Sequence, residues 1–201
     1  MFAHLSACTA RLCLAVALLC SGCVRAQSNG PRSSGQEERK RAAEPLIEQA
    51  EAFAAAGDNM RAEQYLTAAL SQGADERRVL PLLVKACISD ERYRSAAQYL
   101  EEYLRRHPSQ QNARFLLASL HLALGQPDVA ARELEVVLKT NPQHAEAHFA
   151  LATLLRDSAA SYAAADTHFR EYLALRPDGV HAEEARGSLL IRLTVPDAKG
   201  N

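Results

Sequence analysis

A chain of 201 residues that is 48% hydrophobic and 23% charged carries enough apolar material for one domain with a sizeable core, and is not composed like a disordered tail. Its formal net charge of -1 argues against the basic footprint that nucleic acid or an anionic membrane surface would require.

Residues 1–22 read as a targeting segment. Arg11 is the one firm positive charge, no acid is present, and Leu12 to Cys20 form an apolar run. A run this short cannot cross a bilayer as a mature helix, which takes about 20 residues, but it suits the core of a signal peptide. Its end, Leu19-Cys20-Ser21-Gly22-Cys23, resembles the bacterial lipobox, in which a small residue precedes a Cys that is acylated, with palmitate for example, and becomes the new N-terminus. That resemblance implies a lipid on Cys23. Val24 in place of Asp implies outer-membrane delivery, by similarity to enterobacterial lipoproteins. An ordinary secretory signal with a Cys nearby, or a free apolar N-terminus, is the alternative. Cys8, Cys13 and Cys20 would leave with the signal, so Cys87 would stand alone with no disulfide available within one mature chain. Its place on an apolar helix face predicts a small buried hydrophobe and not a nucleophile.

Residues 23–41 continue in Ser, Gly, Pro, Gln and charge without apolar periodicity, which predicts a lipidated Cys followed by a flexible tether. As a coil it would reach roughly 20 to 25 Å.

From Arg77 to His144, two blocks of 34 residues lie on each other without a gap. Leu83, Val84, Ala96, Leu100, Leu104 and Pro108 meet Leu117, Ala118, Ala130, Leu134, Leu138 and Pro142. A fixed period of this length with helical spacing inside it marks a stacked array of helical hairpins. Leu80-x-x-Leu83-Val84-x-x-Cys87, Ala96-x-x-x-Leu100 and Pro108 resemble the tetratricopeptide repeat, as do Arg114-x-x-Leu117-Ala118-x-x-His121, Ala130-x-x-x-Leu134 and Pro142. Arg114 stands where that family usually has Trp. The resemblance implies an all-α, right-handed solenoid of about four tetratricopeptide hairpins plus a C-terminal capping helix, filling residues 42–195.

The repeats are expected at 43–76, 77–110, 111–144 and 145–179, the cap at 180–193 and a tail at 196–201. In the first, Leu46, Ala50 and Phe53 precede a Gly57-Asp58-Asn59 turn, then Ala62, Leu66, Ala69 and Leu70. In the second, Pro81 is expected near a first turn, where its missing donor costs little. The third has Gly125-Gln126-Pro127-Asp128 as its stop and start. In the fourth, Ala165, Phe169, Leu173 and Pro177 are shifted by one, which predicts one inserted residue in the turn at 157–161. Ala182, Ala185, Leu189 and Leu193 mark the capping helix.

Motifs that carry chemistry are sparse. His144-Ala145-Glu146-Ala147-His148 lacks the His-Glu-x-x-His order of zincins, so two solvent-facing histidines and no metal are expected. There is no Gly-x-Ser-x-Gly elbow, phosphate loop or Cys-x-x-Cys, and no catalytic residue, cofactor or small-molecule substrate is expected. The family resemblance places the first helix of each hairpin on a concave face. That implies a partner groove of Leu82, Lys85 and Ile88, then Phe115, Leu116, Ser119 and Leu122, then Phe149, Thr153 and Arg156. Phe115 and Phe149 either face this groove or pack between hairpins. Lys85 and Arg156 alone do not make the family's carboxylate clamp, so an apolar segment of a protein partner is expected.

In layout the chain is similar to pilotin lipoproteins of type IV pili and to the lipoprotein of the outer-membrane barrel-assembly machine. Three functions compete: a lipid-anchored protein-binding adaptor or assembly factor for an envelope machine such as a pilus or secretion system, a passive subunit of a permanent envelope complex, and an enzyme.

Overall fold

A computed structural model of the chain describes residues 32–158 and 161–190. The expected signal peptide, the lipidated Cys23, the start of the tether, Leu193 and the tail lie outside the described residues. Nine α-helices follow one another among those described: α1 Arg32–Ala55, α2 Asn59–Ser71, α3 Glu76–Ser89, α4 Tyr93–Arg106, α5 Gln111–Ala123, α6 Pro127–Thr140, α7 Ala145–Asp157, α8 Tyr162–Leu175 and α9 Ala182–Gly187. Each packs on its neighbours in sequence, so α1/α2, α3/α4, α5/α6 and α7/α8 are four consecutive hairpins and α9 closes the last. This is the expected all-helical solenoid.

Boundaries follow from side chains that serve orphan helix-end amides. Asp58 accepts from the Arg61 amide at 3.1 Å, Asp75 from Arg77 at 3.0 Å and Ser161 from Ala164 at 3.2 Å. Three residues join the helices of hairpins one, two and three (56–58, 90–92 and 124–126), while four (158–161) join those of hairpin four. The one-residue insertion therefore falls where the shifted periodicity puts it.

The three short turns are the same turn. Amides of Asp58, Arg92 and Gln126 donate to the carbonyls of Phe53, Cys87 and His121 at 2.9, 2.8 and 2.8 Å. This six-to-one bond closes a helix through a left-handed residue, and Gly57, Glu91 and Gly125 hold φ of 81°, 56° and 68°. Glycine adopts that conformation freely, whereas a side chain costs about 1 kcal/mol or more. Glu91 is thus the strained member of the set.

The core is a line of apolar clusters along the array. Ala62, Ala96, Ala130 and Ala165 are all buried at the small position of the second helices. Leu66, Leu100, Leu134 and Phe169 stand one turn beyond them, also buried. Cys87 is fully buried, and burial, with the nearby Glu63 charge, pushes its thiol up to about 11, so it packs as a small hydrophobe.

Three expectations are corrected. Helix α1 begins at Arg32, inside the stretch read as a tether. Gln36 to Lys40 lack apolar periodicity but are strong helix formers, and the core under Ala43 and Ile47 nucleates a helix that propagates back through them. Pro81 is the sixth residue of α3, past its first turn. Like Pro45 inside α1 it is exposed, and its ring removes one amide donor from the helix ladder. The cap is a helix over six residues only. Gly187 weakens its continuation, and the Asp166 carboxylate takes the Leu190 amide at 2.8 Å.

Three substitutions check this architecture. Ala130→Leu should cost roughly 1 to 3 kcal/mol by overpacking, whereas Ala163→Leu on the exposed side of α8 should leave the unfolding free energy nearly unchanged. Glu91→Gly should raise stability by about 1 kcal/mol by relieving the left-handed strain. Chemical denaturation of the three variants reads both effects.

Candidate functional site

A cleft of about 310 Å³ opens between α1 and α3. Ala50, Ala54, Leu66, Leu82 and Ala86 make its apolar floor, with Glu51, Asn59, Lys85 and Ser89 at its polar edge. The period explains the opening. Ala54 occupies the position that Ile88 fills in hairpin two and Leu122 in hairpin three, so the first hairpin lacks the bulk that would close the gap. Lys85 is exposed, has no ion pair among the described residues and shares the polar edge with Glu51, so the edge carries one charge of each sign beside an apolar floor.

Of the expected groove residues, Leu82 and Lys85 therefore meet in this cleft. Ser119 and Leu122 are exposed on α5, and Thr153 is half-buried at the matching place on α7. The hydroxyls of Ser119 and Thr153 donate to the Phe115 and Phe149 carbonyls at 3.1 and 3.0 Å, which ties each donor to its own helix. Ile88 and Leu116 pack against the cluster beneath α3 and α4.

Phe115 and Phe149 do not form an open strip. Phe115 is half-buried, its ring centroid 4.8 Å from that of His144. Phe149 stacks on His181 at 4.1 Å and reaches the Phe169 and Tyr172 rings at 5.9 and 5.3 Å, so its ring fastens hairpin four to the cap. Arg156 is committed too: its guanidinium donates to Ser188 at 2.7 Å and pairs with Asp157 and Glu184 at 2.9 and 3.4 Å. Those partners leave no free guanidinium for a carboxylate clamp.

The histidines also depart from expectation. His144 is the N-cap of α7, its Nδ1 accepting from the Ala147 amide at 3.2 Å. His148 is buried and bonded on both ring nitrogens, to His168 and to the Pro142 carbonyl. It holds the large first position of its repeat, equivalent to Leu80 and Arg114, and so turns inward. No group of three or more potential metal ligands occurs among the described residues.

The sequence reading missed the α1 wall of the cleft. Its signal was present, since subtracting one period from Lys85, Ile88 and Ser89 lands on Glu51, Ala54 and Ala55. A polar joint between the first two hairpins was also missed. Glu63 on α2 pairs with Arg92 and accepts from the Tyr99 hydroxyl at 2.7 Å, while Asn59 donates to Asp90 at 2.6 Å. Burial and the Glu63 hydrogen bond together push the Tyr99 phenol well above its ordinary range. Arg114, at the position of the family Trp, instead reaches Glu133 on α6 at 2.7 Å and closes its hairpin with an ion pair.

Two family models described as tetratricopeptide repeat match residues 47–110 and 87–155, together more than half of the chain. No curated protein matches. Among solved structures, a tetratricopeptide repeat protein from Parabacteroides merdae ATCC 43184 is 23% identical, with a TM-score of 0.65 over 74% of this chain and 59% of that one. YrrB, described as a TPR protein with an unusual peptide-binding site, is 18% identical with a TM-score of 0.60 over 73% of this chain and 75% of its own. MamA from Desulfovibrio magneticus RS-1 is 17% identical with a TM-score of 0.60, covering 73% and 90%.

Truncation separates the two kinds of side chain on this face. Phe149→Ala should cost roughly 2 to 3 kcal/mol, the value of a largely buried ring. Lys85→Ala, exposed at the cleft edge, should cost under about 0.5 kcal/mol. Thermal unfolding of both variants beside the parent chain measures the difference.

Proposed function

Because the chain belongs to the tetratricopeptide repeat family, whose members mediate protein–protein interaction, we propose that it is a protein-binding adaptor of the bacterial envelope. In this reading a lipid on Cys23 holds it to the outer membrane on the periplasmic side. It serves an envelope machine such as a pilus or secretion system. The support for the anchor is the apolar run ending in Ser21-Gly22-Cys23. No helix among the described residues is long and apolar enough to cross a membrane.

The observation that carries the binding role is the cleft between α1 and α3. An apolar floor with a polar edge, set at the inner face of a repeat array, fits one bulky apolar side chain of a partner segment. Lys85 and Glu51 at the edge offer one charge of each sign, so an acidic residue beside that anchor is favoured on the Lys85 side. The rest of the segment would run on past Ser119 and Leu122 toward Thr153. Burying the anchor would contribute roughly 1.5 to 3 kcal/mol, so filling the cleft should weaken binding about tenfold or more.

Crosslinked pull-down from intact envelopes tests both halves. A partner retained by the parent chain should be lost with Ala54→Leu or Lys85→Glu and kept with Val136→Ser, which alters an exposed side chain of α6. Equal retention by all three variants would remove the cleft from the account. For the anchor, fatty-acid labelling should disappear in Cys23→Ser and persist in Cys20→Ser. Label remaining on the Cys23 variant would end the lipoprotein reading.

A further inference from the structure

His148 of α7 and His168 of α8 face each other inside hairpin four, their Nδ1 atoms 2.9 Å apart and their ring centroids 5.2 Å apart. The second nitrogen of His148, Nε2, lies 2.9 Å from the Pro142 carbonyl oxygen. A carbonyl only accepts, so neutral His148 carries its proton on Nε2 and leaves Nδ1 as an acceptor. The atom facing that acceptor must then donate. His168 is accordingly the Nδ1–H tautomer, with its own Nε2 unprotonated. One backbone carbonyl thus sets both rings.

We propose that this histidine pair makes hairpin four an acid-labile joint: it holds α7 to α8 when neutral and cannot become doubly cationic while the two helices stay packed. A first proton goes to Nε2 of His168 and leaves both hydrogen bonds in place. A second must go to Nδ1 of His148, where an N–H would point at an N–H across 2.9 Å between two cations. His148 is only 7% exposed, so water cannot take over as partner without α7 moving.

The charged groups that act on His168 are His148 on α7, Glu171 on its own helix and Glu135 on α6. The two acids favour protonation. Burial outweighs them and draws the His168 imidazole below its ordinary range, and a positive charge on His148 would act in the same direction. The sign follows from linkage. With the folded value depressed, the unfolded chain binds more protons as pH falls through about 6.5, so the stabilisation is present above that pH and is lost below it. Phe149, next in sequence to His148, stacks on His181, so a loosened α7 also slackens the cap. Any effect on partner release rests on the adaptor reading; the joint itself does not.

Imidazole nitrogen NMR on the full chain near neutral pH should show His148 as the Nε2–H tautomer and His168 as Nδ1–H. The opposite tautomer on His148 would overturn the proposal whatever the variants do. Between about pH 7.5 and about pH 5, amide protection factors in α7 and α8, corrected for intrinsic exchange, should fall about tenfold or more relative to those in α3 and α4. His168→Gln keeps a donor that can turn over to accept, so its α7 and α8 protection should change less than about threefold over the same range. His144, His181 and a His148 without its histidine partner remain in that variant. A loss as large as in the parent chain would assign the acid response to them and refute the joint.

Discussion

Close approach of paired helices is the constraint on which this molecule depends. Ala62, Ala96, Ala130 and Ala165 are each buried at the crossing of a hairpin's second helix, where a larger side chain would force the backbones apart. Fixing that distance four times over sets the shape of every hairpin. The same left-handed turn at Gly57, Glu91 and Gly125 then sets how each of the first three reverses. Because each unit packs chiefly on its neighbours, an exception in one hairpin stays local. The inserted residue in hairpin four and the missing bulk at Ala54 are exceptions of that kind, absorbed without disturbing the rest.

Polar contacts distinguish repeats that the apolar skeleton leaves nearly alike. Glu63, Arg92 and Tyr99 join hairpins one and two, and Arg114 with Glu133 closes hairpin three. In the last hairpin, Asp166 receives Arg170 at 2.8 Å and the Leu190 amide, so one carboxylate anchors the chain after the cap. Gly179 belongs to the same end. A Cβ there would come within 2.4 Å of the Tyr172 hydroxyl, which accepts from the His181 amide at 3.0 Å. Each contact adds specificity of neighbour to a repeat whose Ala and Leu positions supply none.

Periodicity made the hairpins legible, since Leu100 and Leu134 repeat at a fixed spacing whatever lies between them. It also located the insertion, because both flanking patterns were intact. What it could not show was anything carried by residues off the repeat. Glu63 and Tyr99 are 36 positions apart, close to the period but not on it, and their bond follows from three-dimensional neighbourhood alone. His148 looked solvent-facing beside Glu146, yet it takes the large buried position that Arg114 holds one unit earlier. The start of α1 was hidden for the opposite reason: Glu37 to Arg41 are helix formers with no apolar stripe to announce them. Leu82 and Lys85, expected in the groove from matching positions, line the cleft between α1 and α3, whereas Phe149 at an equivalent position packs against the cap. Position on a repeat names a face, and the neighbouring element decides whether that face stays open.

The functional account turns on the first two hairpins, where an apolar recess and an unpaired lysine lie side by side. Photocrosslinking in living cells addresses it most directly, with a crosslinking side chain placed in turn at Ala55 in the cleft and at Glu135 on α6. The account predicts that Ala55 forms a discrete adduct with one envelope protein and that Ala54→Leu abolishes it, while Glu135 forms none. Adducts from Glu135 alone, or an Ala55 adduct indifferent to Ala54→Leu, would contradict it.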